Sequence, residues 1–136
     1  MRRVVLDVNV YVAALLSPAG TPAQVLLAWT NEEYELIVSP QLLAELERVL
    51  RRPKFSRSIS DPEITALLDG LREDATVLPD PPAEPGLTPD PKDDYLVTLA
   101  RAAHADCIVS GDTHLTGLED PKPPVLTPTI FLASCA

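Results

Sequence analysis

Cysteine and histidine are nearly missing from this chain. Its 136 residues include two cysteines, Cys107 and Cys135, and two histidines, His104 and His114. That is too few for a disulfide framework, and the four residues form no cluster with zinc spacing. Cys107, inside the apolar run Cys107-Ile108-Val109, reads as a small buried hydrophobe. Basic charge is scarce too: 11 Lys and Arg stand against 20 Asp and Glu, a formal net charge of −9. A protein that holds nucleic acid chiefly by counterion release is normally basic, so that general mode is excluded. What remains is local binding assisted by a bound cation, or a partner other than nucleic acid; a basic protein segment would suit this charge. No glycine cluster follows any strand, which disfavours a phosphate-cradling loop. No apolar run approaches the roughly 20 residues that span a bilayer. The N-terminus enters a strand with no cleavable signal pattern, so the expectation is a cytoplasmic protein without a membrane partner.

What is present fits one domain over residues 1–136: 46% hydrophobic and 23% charged residues suffice for a sizeable core. No internal repeat interrupts it. Val4-Val5-Leu6 predicts a buried strand, and Val8, Tyr11, Val12, Leu15 and Leu16 recur beyond it at helical spacing. Ser17 to Pro22 reads as a break, followed by a helix from Ala23 to Asn31 with Val25, Leu26 and Trp29 inward. Leu36-Ile37-Val38 predicts a short parallel strand. Ser39 as N-cap and Pro40 then open a helix to Arg51 with a leucine stripe. Lys54 to Ser60 reads as a loop, Asp61 to Glu73 as a helix, Ala75 to Leu78 as a strand and Pro79 to Pro89 as an exposed loop. A helix from Pro91 to His104, strand Cys107 to Val109, a short strand at Val125-Leu126 and a helical turn from Thr129 to Ser134 complete the chain. Strands alternating with helices predict a three-layer α/β/α domain around a short, mainly parallel sheet.

Acids recur where the carboxyl edge of such a sheet should lie. Asp7 ends the first strand, and Asp112 follows Ser110-Gly111 after the Cys107–Val109 strand. Each has a plainer alternative as a helix or turn cap. In the helix from Pro91, periodicity of 100° per residue puts Asp93 on the stripe of Leu96, Val97, Leu99, Ala100 and Ala103, with Asp94 roughly opposite. An acid on an apolar face is costly without partners, which favours a ligand role for Asp93 over a place in the first turn capped by Asp90. Glu45 and Glu47 flank the leucine stripe of the earlier helix, and periodicity does not choose between them. Several carboxylates in one cleft repel one another unless their pKa values rise or a cation binds. Oxygen-only ligation selects Mg²⁺ or Mn²⁺, which suits phosphodiester hydrolysis and inverts the local charge of an acidic protein.

Four blocks carry a family resemblance that covers nearly the whole chain: Val4-Val5-Leu6-Asp7-Val8-Asn9; Ser39-Pro40-Gln41-Leu42-Leu43-Ala44-Glu45; Asp90-Pro91-Lys92-Asp93-Asp94-Tyr95-Leu96; and Ala105-Asp106-Cys107-Ile108-Val109-Ser110-Gly111-Asp112. In this order they resemble PIN-domain proteins, in particular small prokaryotic toxins of toxin–antitoxin systems (VapC-like ribonucleases). The resemblance implies a PIN-like fold and an Mg²⁺- or Mn²⁺-dependent ribonuclease acting on RNA. It further implies a cognate basic antitoxin and a homodimer. It assigns Asp7, Glu45, Asp93 and Asp112 as metal ligands or their supports, settling Glu45 over Glu47. Asn9 matches the polar companion of the first aspartate, and Asp90 and Asp94 are supporting residues. His114 stands where many relatives carry another acid.

Two other readings compete. A phosphatase of the haloacid-dehalogenase kind needs an Asp-x-Asp pair after the first strand, and Asn9 occupies the second position. A catalytically silent PIN-like protein-binding module would not need the acidic set. Arg51, Arg52, Lys54 and Arg57 form the main basic cluster, either steering substrate phosphates or simply solvating a helix end and loop.

Overall fold

The computed structural model describes residues 1–119 and 121–135. Its five strands are β1 (Arg3–Leu6), β2 (Glu35–Val38), β3 (Thr76–Val77), β4 (Cys107–Val109) and β5 (Val125–Leu126), paired in the order β3-β2-β1-β4-β5. Every pairing is parallel. The flanking helices are α1 (Val8–Leu16), α2 (Thr21–Thr30), α3 (Pro40–Leu50), α4 (Asp61–Asp74), α5 (Asp94–Ala102), α6 (Thr113–Thr116) and α7 (Pro128–Cys135). This is the expected three-layer α/β arrangement, with a sheet that is wholly parallel.

The strands are short and aliphatic because both their faces are covered. Val4, Val5, Leu6, Ile37, Val38, Ile108 and Val109 are all buried, so hydrophobicity runs unbroken instead of alternating. Cys107 is buried with them as a free thiol, and burial raises its pKa to about 11. The chain order reverses at the centre of the sheet: β2 and β3 extend one side of β1, while β4 and β5 extend the other. In open α/β sheets the carboxyl ends at such a reversal leave a crevice. Here that crevice lies beyond Leu6 and Val109, which are paired in register.

Helix starts follow their local chemistry. The Ser39 hydroxyl accepts from the Leu42 amide at 3.2 Å, and Pro40 occupies the first turn. Leu42, Leu43, Leu46 and Leu50 are buried along α3. Ser60 and Glu63 form a capping box at the head of α4. Proline is tolerated in a first turn, and α2 accordingly begins at Thr21, before Pro22 and inside the expected break. A 3-10 turn, Pro53–Phe55, tightens part of the predicted Lys54–Ser60 loop. Helix α6, only four residues long, is too short to leave a periodic signature.

The helix predicted from Pro91 is split, and this corrects one expectation. Pro91–Asp93 form a 3-10 turn, and regular α-helix begins only at Asp94. The 100° periodicity therefore does not extend back through this turn. Asp94, expected on the face opposite the apolar stripe, is instead buried, at 7% exposure. Its carboxylate accepts from the Gly86 amide at 3.2 Å and from the Thr88 amide and hydroxyl at 2.8 Å each. It thus ties the proline-rich loop to α5. Asp80 ties the other end of that loop to the head of α3, accepting from the Gln41 amide at 2.9 Å.

Candidate functional site

A cavity of about 470 Å³ opens at the carboxyl ends of β1 and β4, lined by Asp7, Asn9, Glu45, Asp90, Asp93 and Asp112 among others. Each acid arrives on a different support. Asp7 occupies the N-cap position of α1, yet its side chain makes no capping hydrogen bond. Its Oδ2 instead accepts from the buried Ser110 hydroxyl at 2.8 Å and from the Asn9 amide group at 3.2 Å. The cap alternative for Asp7 is therefore set aside.

Asp112 does cap: its Oδ1 accepts from the His114 amide at 2.8 Å, closing the first turn of α6. His114 Nδ1 lies 3.4 Å from the same oxygen, on a largely exposed side chain. The Ser110 hydroxyl bridges the two acids, because it also accepts from the Asp112 amide at 3.0 Å. Sequence reasoning gave Ser110 no role of its own and missed this one. A serine directly after a fully buried strand, between it and Asp112, was the available signal. Asp90 caps the 3-10 turn through the Lys92 amide at 3.0 Å. Asp93 is half-buried on the cavity wall, and its carboxylate accepts no hydrogen bond among the described residues.

Three of these carboxylates differ electrostatically. Asp7 has a raised pKa, first through burial and further through the charge of Asp112; Ser110 and the nearby Asn9 and Val8 amides oppose the shift. Asp93 is pushed up to about 6, again first by burial and then by Asp7, Asp90, Asp112 and Asp94. Glu45 goes the other way. Both its oxygens accept from the Arg48 guanidinium, one at 3.0 Å, and this pairing leads the depression of its pKa, with Arg52 and Lys92 adding to it. The cavity therefore carries both signs of charge, with Arg48, Arg52, Lys54 and Lys92 lining it beside the acids.

The donor set fits a hard divalent cation: it is all oxygen, and the charges of Asp7 and Asp112 raise the proton affinity of Asp93 beside them. The acids line the cavity without closing into a cage. Among the described residues, no three His, Cys, Asp or Glu side chains stand close enough to form a ready-made metal site. Glu45 is turned to Arg48 instead. Of the expected supporting residues, Asn9 and Asp90 line the cavity, while Asp94 lies behind it holding the loop. Tyr95 also lines the cavity; burial, then Asp7, Glu45, Asp93 and Asp80, hold its hydroxyl far above the usual pKa. The sequence reading did not single it out.

Comparison with known proteins agrees with this architecture. An uncharacterized protein of Methanocaldococcus jannaschii, MJ1680, is 25% identical over 118 residues, spanning 87% of this chain and 76% of the relative. The fold is similar to that of PAE2754 from Pyrobaculum aerophilum, with a TM-score of 0.62, 15% identity and coverage of 99% of this chain and 95% of that one. It is also similar to VapBC2 from Rickettsia felis, a structure bound to a DNA fragment from its promoter, with a TM-score of 0.59, 15% identity and coverage of 92% and 98%. The family model for the PIN domain matches residues 3–114, a span that contains all five cavity carboxylates, and this chain belongs to the PIN-domain family.

Proposed function

We propose that the protein is an Mg²⁺- or Mn²⁺-dependent endoribonuclease that hydrolyses RNA phosphodiester bonds, acting as the toxin of a toxin–antitoxin pair. The observation that carries this reading is the convergence of Asp7, Asp93, Asp112 and Glu45 on one cavity at the switch point of the sheet. PIN-domain membership favours nuclease chemistry in general, and the likeness in fold to VapBC2 supports a toxin of that kind. The companion would be an antitoxin with a basic segment, suited to the net charge of −9. The chain would work as one cytoplasmic domain, paired as a homodimer.

Asp7, Asp93 and Asp112 would hold the cation, with Glu45 joining once it leaves Arg48. When bound, the ion would activate water and offset charge on the phosphate. The chain's own residues prepare for this. Ser110 and Asn9 fix the Asp7 carboxylate through Oδ2. Asp93, with its pKa raised to about 6, is mostly ionised at neutral pH and would be available to a cation there. Asp112 is held by the head of α6.

Cleavage of mixed RNA with Mn²⁺ or Mg²⁺, with and without chelator, tests the reading. Wild type should cleave only with metal, and Asp7→Asn and Asp93→Asn should lose activity while staying folded. A folded wild type that leaves RNA intact under every metal condition points instead to the silent binding module. Hydrolysis of small phosphomonoesters with RNA spared would mean a phosphatase.

A further inference from the structure

We propose that Arg48 is a positioning residue that holds Glu45 away from the cation, so that the site fills completely only when a divalent ion displaces the guanidinium from the Glu45 carboxylate. The inference rests on the metal-dependent reading of the adjacent acids, and it assigns to one of this chain's own side chains the control of how readily they load.

Five carboxylates line the cavity. Asp7 and Asp112 arrive from the ends of β1 and β4, and Asp90 and Asp93 from the turn before α5. Glu45 alone comes from α3. Among the described residues it is also the only one of the five paired with an arginine or lysine. Arg48 Nε donates to Glu45 Oε2 at 3.0 Å and Nη2 donates to Oε1, so the guanidinium fork meets both carboxylate oxygens at once. Arg48 stands three positions after Glu45 on α3, a spacing at which helix side chains are neighbours. Its other neighbours at helical spacing are Ala44, Arg51 and Arg52, which offer it no carboxylate.

The remaining cations set this pair apart. Of the basic cluster read from the sequence, Arg52 and Lys54 line the cavity, whereas Arg51 and Arg57 lie outside it. Arg51 is paired with Glu47 at 3.0 Å and with Asp61 at 3.2 Å. Helix α3 thus carries two Glu–Arg pairs, and only the one inside the cavity occupies a carboxylate that the cation would use. Arg52, Lys54 and Lys92 line the cavity with no carboxylate partner among the described residues, so they leave Glu45 unblocked.

Solvent makes the contact reversible. The Arg48 side chain is 56% exposed and that of Glu45 33%, and an ion pair this open contributes little net free energy. A buried pair would lock Glu45; this one exchanges. A divalent ion carries twice the charge of the guanidinium and binds carboxylate oxygens directly, so it displaces Arg48 once its concentration is high enough. Below that concentration Arg48 neutralises Glu45 and spares the aspartates a further negative neighbour. The pairing keeps Glu45 ionised, while burial pushes Asp7 and Asp93 toward their protonated forms. Arg48 therefore acts as a tethered competitor whose local concentration is fixed by the helix.

The test is metal binding without RNA. Mn²⁺ is titrated into the full chain, and binding is read from the loss of the free-ion electron paramagnetic resonance signal. Arg48→Gln should bind Mn²⁺ roughly fivefold more tightly than wild type, the upper end of what a solvent-exposed ion pair is worth. Arg48→Lys keeps the charge and loses the fork, and should fall between the two. Arg52→Gln removes a cavity charge that makes no ion pair with Glu45, so it reports the through-space effect alone and should give a smaller gain. Arg51→Gln, outside the cavity, should bind as wild type does. In a Glu45→Gln background the gain from Arg48→Gln should shrink to that of Arg52→Gln. An Arg48→Gln affinity no higher than wild type would overturn the proposal and leave the metal reading standing, as would a gain undiminished in the Glu45→Gln background. Mn²⁺ bound by neither wild type nor any variant would overturn both.

Discussion

Replacing Asp93 with Asn should stabilise the protein above about pH 7 in the absence of metal. The Asp93 carboxyl is raised from 3.8 to about 6 by burial and by the acids around it. The folded state therefore holds this proton more tightly than the unfolded chain does. The stability linked to that proton is fully present below about pH 4 and is lost as pH rises through about 6. Fully expressed, a shift of this size costs the ionised folded state ~3 kcal/mol. Asp93 is only half-buried and sits at the head of a helix, so solvent screening and the helix dipole reduce this to ~1 kcal/mol. Urea unfolding in chelator reads the difference: the Asp93→Asn midpoint should rise by roughly 0.5 M above about pH 7 and converge on wild type near pH 4. Added Mn²⁺ should raise the wild-type midpoint and raise that of the variant much less. A variant no more stable than wild type at neutral pH, or a gain that persists unchanged at pH 4, would refute the repulsion argument.

Two further outcomes follow from the site's supports. Ser110→Ala removes the hydroxyl that donates to Asp7 and accepts from the Asp112 amide, so stability should fall by ~1–2 kcal/mol. Because that hydrogen bond lowers the Asp7 pKa, the acid limb of any pH–rate profile should also move to higher pH; an unmoved limb would mean that Asp7 does not govern it. Asp94→Ala leaves the Gly86 and Thr88 amides without their acceptor. It should cost ~2–3 kcal/mol and open the 79–90 loop to limited proteolysis. Cleavage concentrated outside that loop would count against Asp94 as its anchor.

The sequence alone determined the layered α/β class, because short aliphatic runs alternating with amphipathic stripes can bury their apolar faces in few other ways. It also placed acids at strand ends, since Asp7 and Asp112 each directly follow or nearly follow a buried run. Strand order came only from the fold: pairing β1 with β2 spans about thirty residues and with β4 about a hundred, and it is this pairing that creates the crevice. The two neighbouring aspartates show the limit of periodicity. A 3-10 turn before α5 shifts the angular register, and so it was tertiary structure that sent Asp93 to the cavity and Asp94 to the loop amides. Tertiary structure likewise set Glu45 against Arg48 and separated Arg52 and Lys54 from Arg51. Residue type supplies charge and hydrogen-bonding capacity; which charges face one another is decided by packing between elements far apart in the chain.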